Sequence, residues 1–229
     1  MFGRPINQSR RPAQPGFRRR APHPTGAFTL IEMMVVVGVI GLLAGMMIAA
    51  MPALTDRKIR KRIEVELAGL ETAIQSYKAD KGYFPPDNTN NVAQPPLYYE
   101  LTGMLIPDPN NVSYSSIVQP EPSPLTPAQI KGAFYMDGFL NSATEKNEVK
   151  NYYRTLKPTA YKEVAVGAAG NFKFLMVPYR GPGTTLDPKG DFNTWRYNKS
   201  NPTNHPNEYD LWAEVVIRGK TNLIGNWKE

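Results

Sequence analysis

The sequence predicts an α+β protein. One long N-terminal α-helix, membrane-type in its first half and amphipathic in its second, packs on a small C-terminal antiparallel β-sheet, with a loop-rich insertion between them. Three observations carry this expectation. An uncharged apolar run fills residues 33–54. Apolar residues then recur at three- and four-residue steps up to a Gly-Tyr-Phe-Pro-Pro stop at 82–86. The aromatic and β-branched runs come late, after residue 170.

Residues 1–27 read as a basic leader. They hold six Arg (Arg4, Arg10, Arg11, Arg18, Arg19 and Arg20) and no Asp or Glu. Such a Pro- and Arg-rich stretch cannot build a core. The net charge of +7 over 229 residues falls to +1 for residues 28–229 alone. Only residues 57–62 then concentrate positive charge, so no nucleic-acid partner is expected. The chain has no cysteine, which excludes disulfides, thiolate catalysis and Cys-based zinc sites. The 22 Pro and 18 Gly residues imply much loop.

Residues 28–54 read as a transmembrane and assembly helix. The 22 uncharged residues of 33–54 make a helix of roughly 33 Å at about 1.5 Å per residue, enough to cross a bilayer core. An ordinary secretory signal fits less well, because the run is too long and no Ala-x-Ala site follows it. Glu32 interrupts the apolar character. A carboxylate there costs a few kcal/mol, on the order of 3, unless it is paired or reaches the interface. It either reaches headgroups or meets a cation supplied by another chain or by a freed amino terminus. Gly41, Gly45, Ala49 and Ala53 fall on one face and would let helices approach closely, although small residues are common in membrane helices. Pro52 is expected to loosen or kink the helix.

Residues 55–82 form the amphipathic half, packed under the head. Ile59, Ile63, Leu67, Leu70, Ile74 and Tyr77 share one face, and Gly82 is the stop. The helix is expected from about 29 to 81. The basic residues Arg57, Lys58, Arg60, Lys61 and Arg62 either contact anionic lipid headgroups or form a solvated helix face.

The segment Gly26-Ala27-Phe28-Thr29-Leu30-Ile31-Glu32, followed by Met33-Met34-Val35-Val36-Val37, resembles the start of type IV prepilins. The similarity is greatest to the major pseudopilins of type II secretion systems. This resemblance implies a pilin-like fold. It implies that a prepilin peptidase cuts between Ala27 and Phe28 and that Phe28 is N-methylated. It makes Glu32 the fifth residue of the mature chain, aligned against the amino terminus of a neighbour, with Gly41 and Gly45 in the assembly helix. The family's usual residue before the cut is Gly, and here it is Ala27. The resemblance also gives the orientation, with the leader cytoplasmic. Charge alone is close to a tie, since five basic residues flank the far end of the run. Leu70, Ala73, Ile74 and Tyr77, followed by Gly82-Tyr83-Phe84-Pro85, are similar to the pseudopilin helix end.

Residues 83–170 read as a loop-rich variable region and a surface insertion. Within it, 97–103 reads as a short helix with a Gly stop, and Thr126-Pro127 caps a second short helix through Phe134. Residues 171–229 read as the sheet, with strands near 172–179, 194–197, 209–217 and 221–227. Gly219-Lys220 is the expected hairpin turn between the last two. Residues 201–227 resemble the pseudopilin C-terminus, whose loop binds calcium. Asp210 and Asn226 match that frame and are the calcium candidates, although the acidic, Gly-rich segment between them is replaced, which removes most hard oxygen ligands. The other reading is a plain hairpin with Asp210 as a turn or capping residue. Asp187, Asp191 and Glu208 have no recognisable ligand spacing.

No enzyme constellation is present. His205 is the one His after the leader, and there is no phosphate loop, zinc pattern or supportable Ser-His-Asp arrangement. The expected function is a structural filament subunit, specifically a type II secretion pseudopilin polymerised from the bacterial inner membrane to drive protein export. The anchor would be single-pass and the head periplasmic. The expected partners are further copies of the chain, other pilin-like subunits, the prepilin peptidase, the inner-membrane assembly platform and membrane lipid; no cofactor is needed. Two alternatives stand: a type IV pilin or minor pilin for adhesion, motility or DNA uptake, and a membrane-anchored binding protein that does not polymerise.

Overall fold

The computed structural model describes residues 28–118, 123–183 and 187–227, without the side chains of Ala49, Ala50 and Pro52. The chain divides into two compact units at Ala49/Ala50. Helix α1, Leu30–Lys81, contributes residues to both. The expected bounds of 29 to 81 are met within a residue. The helix continues through Pro52, where a loosening was expected.

In the first unit α1 is apolar all round, and its large side chains are exposed, from Val36 at 47% to Leu30 at 77%. In the second unit the expected stripe is buried. Ile63, Ile74 and Tyr77 have no exposed surface, and Leu67 and Leu70 have almost none; Ile59 is half-buried and packs against the same core. Each fully buried aliphatic side chain contributes about 1.5–3 kcal/mol. The helix stops because Gly82 turns left-handed at φ +85°, while its N–H still reaches the Lys78 carbonyl at 2.8 Å. Only glycine takes that conformation at little cost.

The middle of the chain departs from the surface insertion expected of it. Helix α2, Leu97–Thr102, is buried along its whole length. It ends where expected, at Gly103 with φ +88°, and a Cβ there would lie 2.3 Å from Val149. Strand β1 (Met104–Leu105) pairs antiparallel with β2 (Ser115–Ser116) and parallel with β3 (Ser142–Ala143). Helix α3, Pro127–Phe134, follows from its own sequence. Thr126 caps the Gln129 N–H, and the Gln129 side chain accepts from the Thr126 N–H, a reciprocal capping box with proline inside the first turn. Ile130, Ala133 and Phe134 of α3 enter the core. There Tyr99 stacks on Phe139 at 4.6 Å and Phe134 meets Phe172 edge-on at 5.1 Å.

Strand β4, Tyr161–Val166, lies in the stretch expected to be loop and pairs antiparallel with β5, Gly170–Leu175. The remaining sheet has the order β6–β7–β8, all antiparallel: Arg196–Asn198, Asp210–Ile217 and Lys220–Gly225. Along β7, Leu211, Ala213, Val215 and Ile217 alternate inward, the period-two pattern of a one-faced strand. The turn is one residue earlier than expected. Ile217 pairs with Lys220, so the turn residues are Arg218 and Gly219, with φ +50° and +75°. Two successive positive φ values match the right-handed twist of the flanking strands. The antiparallel C-terminal sheet is therefore present, but the described strands form three small sheets, and the first is mixed.

Candidate functional site

The expected assembly site begins at the start of α1. Phe28 is the first described residue and is 75% exposed; Ala27 and the leader lie outside the described residues. Thr29 precedes the first helical turn, where backbone N–H groups have no intrahelical acceptor. The Thr29 N–H donates to Glu32 Oε2 at 2.8 Å, and its hydroxyl donates to the same oxygen at 2.7 Å. The Glu32 N–H donates back to Thr29 Oγ1 at 3.3 Å. Glu32 thus closes a capping box as well as carrying the charge that marked it in the sequence. Thr29 is the residue sequence reasoning missed. The Thr-x-x-Glu spacing ahead of an apolar run is the signal that identifies it. Both Thr29 donors converge on one oxygen, and a carboxylate offers about four acceptor sites. Capacity for a further cation remains.

Gly41 and Gly45 lie within the same apolar half. A Cβ placed on either would meet nothing within 4 Å. Their small size therefore serves no packing within the described chain.

The C-terminal pair holds a loop together. Asp210 is buried and caps three successive residues. Its carboxylate accepts from the N–H of Thr203 at 2.7 Å, of Asn204 at 2.9 Å and of His205 at 2.9 Å, and from the Asn204 amide at 3.1 Å. Burial works against the charge, but these N–H donors outweigh it and hold the carboxyl below the ordinary range. Asn226 Oδ1 accepts from the Leu211 N–H at 2.9 Å, and its Nδ2 donates to the Tyr209 carbonyl at 3.0 Å. Calcium takes six to eight oxygen ligands. Here the Asp210 and Asn226 oxygens face N–H donors, and among the described residues no three His, Asp or Glu side chains gather into a metal group. The residues present do not fit a calcium ion, and Asp210 is a capping residue.

A second carboxylate escaped sequence reasoning altogether. Glu100, on α2, is fully buried. It accepts from the Tyr77 hydroxyl at 3.0 Å, the Leu140 N–H at 2.8 Å and the Asn141 N–H at 3.0 Å. Burial pushes its carboxyl up, against the pull of those three donors. It ties α1, α2 and the loop ahead of β3 into one network. No spacing in the sequence announces it.

Comparison with known proteins gives the family context. The chain resembles pilins and pseudopilins. It is 33% identical over 58 residues to type II secretion system core protein G of Klebsiella michiganensis, covering 25% of this chain and 41% of that protein. Over 73 residues it is 36% identical to type IV major pilin protein PilE1 of Neisseria gonorrhoeae, covering 30% and 42%. Over 64 residues it is 39% identical to fimbrial protein EcpC of Eikenella corrodens, covering 27% and 40%. The chain thus spans about two-fifths of the length of these relatives. No family model matches, and no solved structure matches.

Proposed function

We propose that the chain is the structural subunit of a pilus-like filament, specifically a type II secretion pseudopilin. The observation that carries this reading is the first half of α1. It is apolar all round and exposed, yet it opens on a capped carboxylate four residues after Phe28. A soluble monomer rarely shows apolar patches of more than a few hundred Å². Two environments would cover such a surface: a bilayer before assembly and neighbouring helices afterwards.

The physical chemistry of Glu32 follows from that setting. In an apolar medium an isolated carboxylate is costly, and a cation that pairs with it is strongly attracted. The Thr29 donors compensate part of the charge within one subunit. A prepilin peptidase that cut between Ala27 and Phe28 would free a cationic amine at Phe28, N-methylated or not. The amine of one subunit docked on Glu32 of the next would set the axial register, while Gly41 and Gly45 would let helix backbones approach. In this reading the anchor is a single pass through the bacterial inner membrane, the head is periplasmic, and the assembly platform adds subunits from the membrane pool. Similarity to PilE1 and EcpC supports a second reading, a type IV pilin, with surface fibres as its product.

Mass spectrometry of the mature amino terminus, together with disulfide trapping, tests the reading. N-methyl-Phe28 is the expected result. The chain has no native cysteine, so paired cysteines introduced along 33–54 should trap ladders of subunits, and Glu32→Ala should abolish the ladders. An intact leader, or monomers only, would overturn the reading. Loss of enzyme export without loss of surface fibres selects the pseudopilin over the pilin.

A further inference from the structure

The basic cluster of residues 57–62 extends beyond the helix. The β7–β8 turn brings Arg218 and Lys220 beside Arg57 and Arg60, and these four side chains line a recess of about 330 Å³ together with Asp56 and Asn222. On the adjoining face of α1, Lys157 joins Lys58, Lys61 and Arg62 around a second recess of about 480 Å³. All eight basic residues are exposed. The acidic residues among them are Asp56, Glu64 and Glu66. Asp56 is held by Arg218, whose Nε lies 3.0 Å from Oδ2, and Glu64 lies 3.4 Å from Lys61. Arg60 reaches Asn222 Oδ1 at 3.4 Å. Arg218 keeps a left-handed φ of +50°, uncommon for a residue with a Cβ. Five positive charges remain in excess, gathered by three separate segments of the chain.

Where this collar lies selects its occupant. The apolar run ends at Leu54. At 1.5 Å per residue, residues 57–60 lie about 4.5–9 Å further along the helix axis, and a headgroup layer is about 5–8 Å thick in each leaflet. Guanidinium groups match phosphate oxygens in pairs, and lysines add point charges. We propose that α1, the β7–β8 turn and Lys157 form a two-sided socket for anionic phospholipid headgroups, seating the head on the bilayer while the subunit is stored in the membrane. The proposal rests on the reading of 28–54 as a bilayer-inserted segment.

The experiment uses the full chain with one cysteine, Leu223→Cys, which is unique in this sequence and occupies an exposed position of β8 next to Asn222 of the first recess. The cysteine carries a fluorophore, and the chain is reconstituted in vesicles of phosphatidylcholine with or without phosphatidylglycerol. Energy transfer to an acceptor on the headgroups reports seating. Transfer should be stronger in anionic vesicles and should fall in about 1 M salt, which shortens the screening length to about 3 Å. Each basic residue near an anionic surface is worth roughly fivefold in partition, so Lys157→Gln with Lys220→Gln should lower the seated-to-free ratio by roughly 25-fold. An unchanged melting temperature shows that this variant is folded, and Lys58→Gln with Lys61→Gln provides an independent second variant. Equal transfer in neutral and anionic vesicles overturns the proposal. So does transfer that rises with the protein-to-lipid ratio and ignores lipid charge, because the socket then receives a neighbour's acidic face. A chain extracted by alkaline carbonate overturns the insertion reading as well, whereas a retained chain with charge-independent transfer overturns the socket alone.

Discussion

Residues 30–54 and 55–81 belong to one helix, yet they solve the problem of apolar surface in opposite ways. The second stretch spaces its apolar residues three and four apart and buries them in its own head, with Ile63, Ile74 and Tyr77 fully covered. The first has no polar face to turn outward, and Met34, Ile40, Leu43 and Met47 all remain more than half exposed. Backbone hydrogen bonding is the same in both. What differs is the cover: this chain supplies it in one half and leaves the other half exposed. A substitution in one half should therefore register in head stability, and one in the other half in anchoring and assembly.

The largest expected effect separates the halves directly. Ile74→Ala should destabilise the head by about 2–5 kcal/mol through lost contacts and an unfilled cavity. Ile40→Ala, the same change in the exposed half, should move head unfolding by less than about 0.5 kcal/mol. Thermal melts of the full chain in detergent, followed by near-ultraviolet circular dichroism, read both. Equal shifts would erase the distinction.

Glu32 on α1 and Glu100 on α2 sharpen the comparison. Glu100→Ala would leave the Leu140 and Asn141 N–H groups and the Tyr77 hydroxyl facing a buried gap, so a loss of about 3 kcal/mol in denaturant unfolding is expected. Glu32→Ala should leave that midpoint unchanged, because its hydrogen bonds stay within the first turn of α1.

Acid titration should give opposite signs for Asp210 and Glu100, two of the buried carboxylates of the head. The carboxyl of Asp210 is lowered in the fold, so its contribution is complete above the ordinary value of about 3.9 and is lost as pH falls below it. That of Glu100 is raised. Its contribution is complete below the ordinary value of about 4.3 and declines as pH rises through the interval above it. Asp210→Asn should flatten the acid limb of a plot of unfolding midpoint against pH, and Glu100→Gln should flatten the limb above it. Unchanged limbs in both variants would remove these groups from the linkage. A small local effect belongs to Thr29→Val, about 0.5–1 kcal/mol at the start of α1, visible as faster amide exchange in residues 30–33 with the head unaffected.

Periodicity and punctuation made much of this legible in the sequence. Pattern and glycine together located α1, α2 and α3, because each carries its own stop or cap: Gly82, Gly103 and Thr126. Burial of the middle region was hidden. A six-residue helix covered on every side, as at 97–102, has no polar face and so no period to detect. Strand β4 was masked by Lys162 and Glu163, which are exposed and break the apolar alternation. The hairpin was recognisable, but its register turned on Arg218 accepting a left-handed conformation, which no residue preference announces. At the start of α1, charge singled out Glu32 while Thr29 passed unnoticed, although the two share a capping box.

The burial of α2 has a consequence for how this head can vary. Tyr99 touches Phe134, Phe139 and Phe172, so the middle of the chain and its last third share one mould. A relative's middle segment could not be grafted here without recasting the strands and helix around it. Drift in length and sequence is left to the exposed tips, such as residues 107–112 and 144–148, and a subunit family built on this head would diversify at its edges while its centre stayed fixed.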